Sequence, residues 1–316
     1  MRGNRVAVWV VVLLAGSCRQ DPRPGKATRF PLAELRAAFV THLPAEDAKA
    51  GERESAPVPP PEFFELVEYP APLGNNVAYV TPVRSGPRRP AIVWIAGGFD
   101  WGIDDSSWQP QPRTNDQSAA AFRKAGIVLM RPSLRGANQN PGRKEYFLGE
   151  VDDILAAADY LASRADVDPS RIYLGGHSTG GTLALLAAES TARFRTVFAF
   201  GPAGNVAGYG GSVPFRRDQK DELRVRSPSG FLSTIVTPTF VIEGTDGNIG
   251  SFHFLRQASK GAPVHFVPLF GLTHFNGLAL VSEVLSKKIL ADTGAEPAIA
   301  LPDEEIDQLI VSWDGT

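Results

Sequence analysis

Short apolar runs recur along this chain, most of them separated by a stretch with helical spacing, and that alternation limits the folds open to it. Ala91-Ile92-Val93-Trp94-Ile95 is apolar throughout, and nearly apolar runs follow at Ile127 to Met130, Arg171 to Leu174, Thr196 to Phe200, Thr239 to Ile242 and Val264 to Val267. Helix-like segments separate most of them, near 115–125, 149–164, 179–190, 250–260 and 275–291. A strand that is apolar on both sides must be covered on both sides, which a parallel sheet achieves through its crossover helices. Ahead of these runs, Phe64 to Tyr69 and Asn76 to Thr81, joined by Leu73-Gly74-Asn75, read as an antiparallel pair. The expectation is an α/β fold with a mostly parallel eight-stranded sheet and helices on both faces.

A chain of 316 residues, 43% of them hydrophobic, can bury one large core. We expect that core in residues 63–316, as a single catalytic domain. Residues 19–62 read as a short helix followed by a linker. Leu32, Leu35, Phe39 and Leu43 mark one helix face after Pro31, and Pro44, Pro57, Pro59, Pro60 and Pro61 punctuate the stretch beyond it. Ile306, Leu309, Ile310 and Trp313 outline a C-terminal amphipathic helix. With 32 basic and 34 acidic residues and no long block of either sign, a nucleic-acid partner is not expected.

Residues 1–18 have the make-up of a signal. Arg2 and Arg5 precede an apolar stretch from Val6 to Leu14, and Ala15-Gly16-Ser17 stand directly before Cys18, the single cysteine. One cysteine excludes an intramolecular disulfide framework and a thiolate metal cluster. The segment resembles a bacterial lipoprotein signal, which implies lipidation at Cys18 and a membrane-anchored protein of the cell envelope. The alternative is cleavage and release as a secreted or periplasmic protein. The apolar run is about half of the ~20 residues a membrane-spanning helix needs.

Chemistry enters at Gly175-Gly176-His177-Ser178-Thr179-Gly180-Gly181, a G-x-S-x-G string between the strand-like Arg171 to Leu174 and the helix-like Thr182 to Ala188. A serine on a sharp strand-to-helix turn is strained and exposed, and bulky side chains two residues to either side would meet neighbouring backbone. Ser178 is therefore the candidate nucleophile. It needs a base, and the base needs a carboxylate, in the chain order serine, acid, histidine. Of five histidines, His42 falls in the N-terminal helix, His177 beside the serine, His253 in a helix and His265 in a strand. His274 alone lies in a loop just beyond the last strand. After the strand ending at Ile242, Glu243-Gly244-Thr245-Asp246 supplies the acid; Asp246 is the choice and Glu243 the competing carboxylate. For the oxyanion, the Thr179 N–H is one donor and Gly98 or Phe99, in Ala96-Gly97-Gly98-Phe99, the second.

Together, Arg135-Gly136, Gly149-Glu150-Val151-Asp152-Asp153, Val167-Asp168-Pro169-Ser170-Arg171-Ile172, the elbow, Arg226-Ser227-Pro228 and Thr273-His274-Phe275 resemble the catalytic domain of the prolyl oligopeptidase family and its dienelactone-hydrolase-like relatives. The resemblance spans roughly residues 64–292. It implies an α/β-hydrolase core with Ser178, Asp246 and His274 as triad. The expected activity is that of a serine hydrolase cleaving a small ester or a short peptide amide through an acyl-enzyme, with no metal or organic cofactor. Trp101, Trp108 and the segment from Gly201 to Ser233 are expected to border the acyl pocket. The alternative is a non-catalytic envelope lipoprotein that uses the scaffold for binding, motivated by the position of Asp246, one residue early for the family pattern.

Overall fold

A computed structural model describes residues 29–43 and 54–313; Cys18 and the signal-like segment lie outside them. One eight-stranded sheet organises the described residues. Its strands are β1 (Glu65–Ala71), β2 (Gly74–Val80), β3 (Arg89–Ile95), β4 (Val128–Pro132), β5 (Val167–His177), β6 (Val197–Phe200), β7 (Thr239–Gly244) and β8 (Val264–Leu269), in the spatial order β1-β2-β4-β3-β5-β6-β7-β8. β1 and β2 form the expected hairpin and β2 joins β4 antiparallel, while every later pairing is parallel. β3 lies between β4 and β5, which is why Ala91 to Ile95 carry no polar side chain. The outer strands β1 and β8 carry Pro70 and Pro268, which an edge tolerates, and Pro90 of the central β3 falls at the register shift between Arg89 and Ala91.

The described residues form eight α-helices: α1 (Pro31–Ala37), α2 (Ala120–Lys124), α3 (Glu150–Ser163), α4 (Thr179–Ala188), α5 (Lys220–Arg224), α6 (Ile249–Ala258), α7 (Gly277–Ala291) and α8 (Asp303–Val311). Alternation along the strands sends Val93, Val128, Met130 and Leu174 to one core with Leu32 of α1, α3, α4 and Leu255 of α6. Ile92, Trp94, Leu129 and Tyr173 go to a second core with Phe122 of α2, Leu285 of α7 and Ile306 of α8. In α3, Val151, Ile154, Ala158 and Leu161 recur at helical spacing and are fully buried, each of the larger ones contributing about 1.5–3 kcal/mol of transfer free energy. All ten residues of α4 are buried, as suits an apolar helix enclosed on every side.

Local departures have local causes. α1 ends at Ala37, so His42 lies beyond the helix expected to hold it, and its backbone N–H donates to the Glu222 carboxylate at 2.7 Å. The described part of the proline-rich stretch packs on the body instead of hanging free. Ala56 and Pro59 are buried, and the Pro57 carbonyl accepts from Tyr79 Oη at 2.6 Å. Proline rigidity favours such docking because little chain entropy is lost.

Candidate active site

Ser178 follows β5 directly and precedes α4 with φ 57° and ψ −113°, a region that L-residues enter only when their surroundings hold them there. The flanking glycines do that. A Cβ on Gly176 would lie 2.4 Å from the Gly180 carbonyl oxygen, and one on Gly180 would lie 2.1 Å from that of Ile95. Only glycine lets the elbow close so tightly, and the Ser178 N–H anchors it by donating to the Phe200 carbonyl at 2.7 Å.

His274 lies in the loop between β8 and α7, and its Nδ1 is 2.9 Å from Glu243 Oε2. The carboxylate beside His274 is therefore Glu243, near the end of β7, and not Asp246. The reason is direction. The β7 pleat points the Glu243 side chain inward, where it is 3% exposed and its Oε1 accepts the Gly244 N–H at 2.8 Å. Asp246 comes after the strand has turned, is exposed, and meets only the Thr245 hydroxyl at 3.4 Å among the described side chains. Two glycines make room for the Glu243–His274 pair. A Cβ on Gly201, whose φ is +57°, would stand 2.3 Å from His274 Cε1, and one on Gly247 would stand 2.4 Å from Glu243 Oε1.

His177 is fully buried between the elbow and the histidine loop. Its ring lies 4.6 Å from that of His274, and its Nε2 is 2.9 Å from the His274 carbonyl oxygen. Burial, then the nearby His274, push its pKa down to about 3, so the ring is neutral and carries a single proton. Placing that proton on Nε2 satisfies the carbonyl, so His177 fixes the backbone from which His274 projects. Its Nδ1 faces Gln117 Oε1 at 3.2 Å, and the same oxygen accepts the Gly97 N–H at 2.7 Å.

The remaining candidate donors converge from two elements. Neither the Thr179 N–H nor those of Gly98 and Phe99 donate to a protein acceptor among the described residues. Thr179 Oγ1 donates to the Gly98 carbonyl and accepts from Trp101 Nε1 at 3.3 Å, clamping the loop after β3 to the start of α4. Gly98 has φ +97°, a conformation open to glycine and costly for other residues.

Against the clamp stands a cluster of aromatic rings. Phe99 packs edge-on to Tyr209 at 5.3 Å and to Phe147 at 6.0 Å, and Phe147 stacks on Tyr209 at 5.4 Å. Tyr146 and Phe147 both have positive φ. Glu150, fully buried at the start of α3, holds them by accepting the N–H groups of Glu145, Tyr146 and Leu148. Trp101 belongs to this cluster, and so does Tyr209 of the long segment after β6. Trp108 does not: it packs edge-on against Tyr79 at 5.2 Å, beneath the second core.

The profile of the prolyl oligopeptidase family matches residues 113–248 of the chain. No curated protein matches the sequence. Solved structures with the same fold include a puromycin-hydrolyzing peptidase of Mycobacterium tuberculosis, 20% identical with a TM-score of 0.59 over 75% of this chain and 42% of its own. The acylaminoacyl peptidase of Pyrococcus horikoshii is 14% identical, TM-score 0.61, over 77% and 44%. Carboxyl esterase 2 of the fungus Tuber melanosporum is 15% identical, TM-score 0.56, over 76% and 91%. The fold is that of an α/β-hydrolase. The chain spans about two fifths of the length of the two peptidases and nearly all of the esterase.

Within this α/β-hydrolase fold the structure brings Ser178, Thr179, Gly98, Phe99 and His274 to the C-terminal edge of the sheet, where ligands bind in open α/β sheets. Three contributors escaped the sequence reading. Glu243 was a competitor only, because the strand pleat that turns it inward is a two-residue periodicity easily lost at a strand end. His177 and Gln117 carry no pattern, since their partners lie 97 and 60 residues away in the chain.

Proposed function

We propose that the protein is a serine hydrolase that forms an acyl-enzyme on Ser178 and cleaves a small ester or a short peptide amide. The observation that carries the reading is the strained, partly exposed Ser178 on its glycine elbow together with the partly exposed His274 held at 2.9 Å by the buried Glu243. In the proposed cycle, His274 Nε2 takes the Ser178 hydroxyl proton as Oγ attacks the carbonyl carbon. Glu243 holds the Nδ1 proton and stabilises the imidazolium. The oxyanion of the tetrahedral intermediate accepts from Thr179 N–H and from Gly98 or Phe99 N–H. Collapse expels the alcohol or amine, protonated by His274, and water, deprotonated by the same ring, then releases the acid and restores Ser178.

Support comes from the family match across the elbow and from structural neighbours named as peptidases and esterases. The binding-scaffold alternative rested on the position of Asp246, and the Glu243 pairing takes that motive away. As to location, we propose from the sequence alone a lipid anchor on Cys18 in the cell envelope, which the intact mass of the mature N-terminal peptide tests. Among the described residues no helix is long and apolar enough to cross a membrane.

The test of catalysis is covalent labelling by a fluorophosphonate, followed by peptide mapping on wild type, Ser178→Ala and Glu243→Gln. Labelling confined to Ser178 and slowed by Glu243→Gln is expected. A folded wild-type protein that takes up no label would overturn the proposal.

A further inference from the structure

Four arginines are buried among the described residues: Arg36, Arg131, Arg135 and Arg226. Three have carboxylate partners, in Asp152, Asp153 and Glu222 respectively. Arg131 is the exception. It lies in β4 on the face shared with Leu129, is 4% exposed, and its Nη1 is buried without a hydrogen-bond partner in the protein. Asp104 and Asp116 act on it only from beyond ion-pair distance, and both are engaged elsewhere. Asp104 accepts from the Ser106 N–H and hydroxyl, and Asp116 accepts from those of Ser118. Burial accordingly holds the Arg131 pKa down, at about 10.

Packing alone gives no reason to sink a guanidinium here, since a fold gains nothing from a buried unpaired cation that Leu or Met would not supply at lower cost. What surrounds it does give one. Arg131 lines a cavity of about 280 Å³ whose wall carries the amides of Gln111, Asn115 and Gln117, with Trp101 beside them. Asp100 and Asp104 also border it, but both are exposed: the Asp100 side chain is 90% exposed and faces Lys144, and Asp104 accepts from the Ser106 N–H and hydroxyl. Gly97 forms part of the wall, and a Cβ on Gly97 would lie 3.2 Å from Ser178 Cβ, so the cavity and the nucleophile share one stretch of backbone. A planar cation with side-chain amides around it matches the forked geometry of a carboxylate.

We propose that Arg131 forms a carboxylate subsite beside the catalytic residues, so that the favoured substrates are esters or amides bearing a free carboxylate several bonds from the scissile carbonyl. This deepens the hydrolase reading and rests on it. The subsite explains why a charge stands at the end of a central strand. It also makes Arg131 a specificity determinant with no part in the chemical step.

The experiment compares 4-nitrophenyl monoesters of straight-chain dicarboxylic acids, from succinic to suberic, with 4-nitrophenyl esters of monocarboxylic acids of equal length. Wild type should favour at least one dicarboxylic length over its neutral counterpart by tenfold or more in kcat/KM. Arg131→Met should abolish that preference and leave kcat/KM for the neutral ester within about threefold. Arg131→Lys, which keeps the charge and loses the fork, should retain part of it and serves if the methionine variant does not fold. The free dicarboxylate of the favoured length should inhibit neutral-ester hydrolysis competitively in wild type and at least tenfold more weakly in the variants. Equal rates on acidic and neutral esters at every length would overturn the proposal while leaving the hydrolase reading intact. Non-competitive inhibition would also overturn it, since the carboxylate would then bind as a separate effector. If no ester is turned over and Ser178 takes no fluorophosphonate, the hydrolase reading itself fails. The subsite is then judged by thermal shift with the free dicarboxylate on wild type and Arg131→Met, and an equal shift in both would end it.

Discussion

Replacing Glu243 by glutamine isolates the charge that the structure sets against His274 and changes almost nothing else. Gln has the same shape, can still accept the Gly244 N–H that Glu243 Oε1 accepts now, and fills the same 3%-exposed site. What disappears is the attraction between a carboxylate and the imidazolium that forms as Ser178 loses its proton. For unit charges at the observed 2.9 Å and an effective dielectric constant of about 20, that attraction is about 6 kcal/mol. At about 1.4 kcal/mol per decade, kcat should fall roughly 10⁴-fold. The acid-to-amide change in another triad enzyme has an effect of the same order. Asp246→Asn provides the control, because Asp246 is exposed and solvent screens its field; its effect should stay under about threefold. The assay is steady-state hydrolysis of a chromogenic ester, with circular dichroism confirming that both variants are folded. A large loss in Asp246→Asn beside near-normal activity in Glu243→Gln would refute the assignment and the electrostatic argument with it.

Three further outcomes follow from the same geometry. Ser178→Gly should abolish turnover and raise Tm by about 2–4 °C, since glycine relieves a strained φ of 57° worth about 1–3 kcal/mol and returns part of that as chain entropy; a lowered Tm would contradict the strain. Gly201→Ala should cut kcat/KM by about 100-fold or more by displacing His274, whose Cε1 would be 2.3 Å from the new Cβ, and activity within threefold of wild type would show that the loop yields freely. The third concerns acid stability. His177 has its folded pKa lowered from 6.5 to about 3, so below about pH 6.5 the unfolded chain binds a proton that the folded one refuses. Stability is therefore lost as pH falls toward 3, by up to about 1.4 kcal/mol per pH unit. Glu150, raised to about 7 by burial, has the opposite sign between about pH 7 and 4.5, so the informative quantity is the urea-unfolding difference between wild type and His177→Gln. That difference should narrow on acidification through this window, and a constant difference would mean that His177 titrates normally when folded.

The class and layering of this protein were legible in its sequence because the signals are local and repeated. Each apolar strand, each helical stripe such as Val151 to Leu161, and the glycines around Ser178 report on their own immediate surroundings. The hairpin, the parallel sheet and the elbow accordingly stand where the periodicities imply. Local signals weaken at element ends, and there the readings slipped: α1 stops before His42, and the carboxylate beside His274 is Glu243 on the strand's last inward-pointing turn, with Asp246 past it in solvent.

What only tertiary structure decided are the meetings between distant segments. His177 finds the His274 carbonyl across 97 residues, Gln117 accepts the Gly97 N–H across 20, and Phe147 stacks on Tyr209 from the far side of α3 and α4 in the chain. Arg131 reads in sequence as a charge interrupting a strand, and only the folded sheet shows it buried without a partner on the wall of a cavity that Gly97 also lines. The physical reason is the same throughout. Secondary structure follows from the spacing of apolar groups along a short stretch of chain, whereas a buried polar group is defined by which distant partner satisfies it, and that is settled only when the layers close.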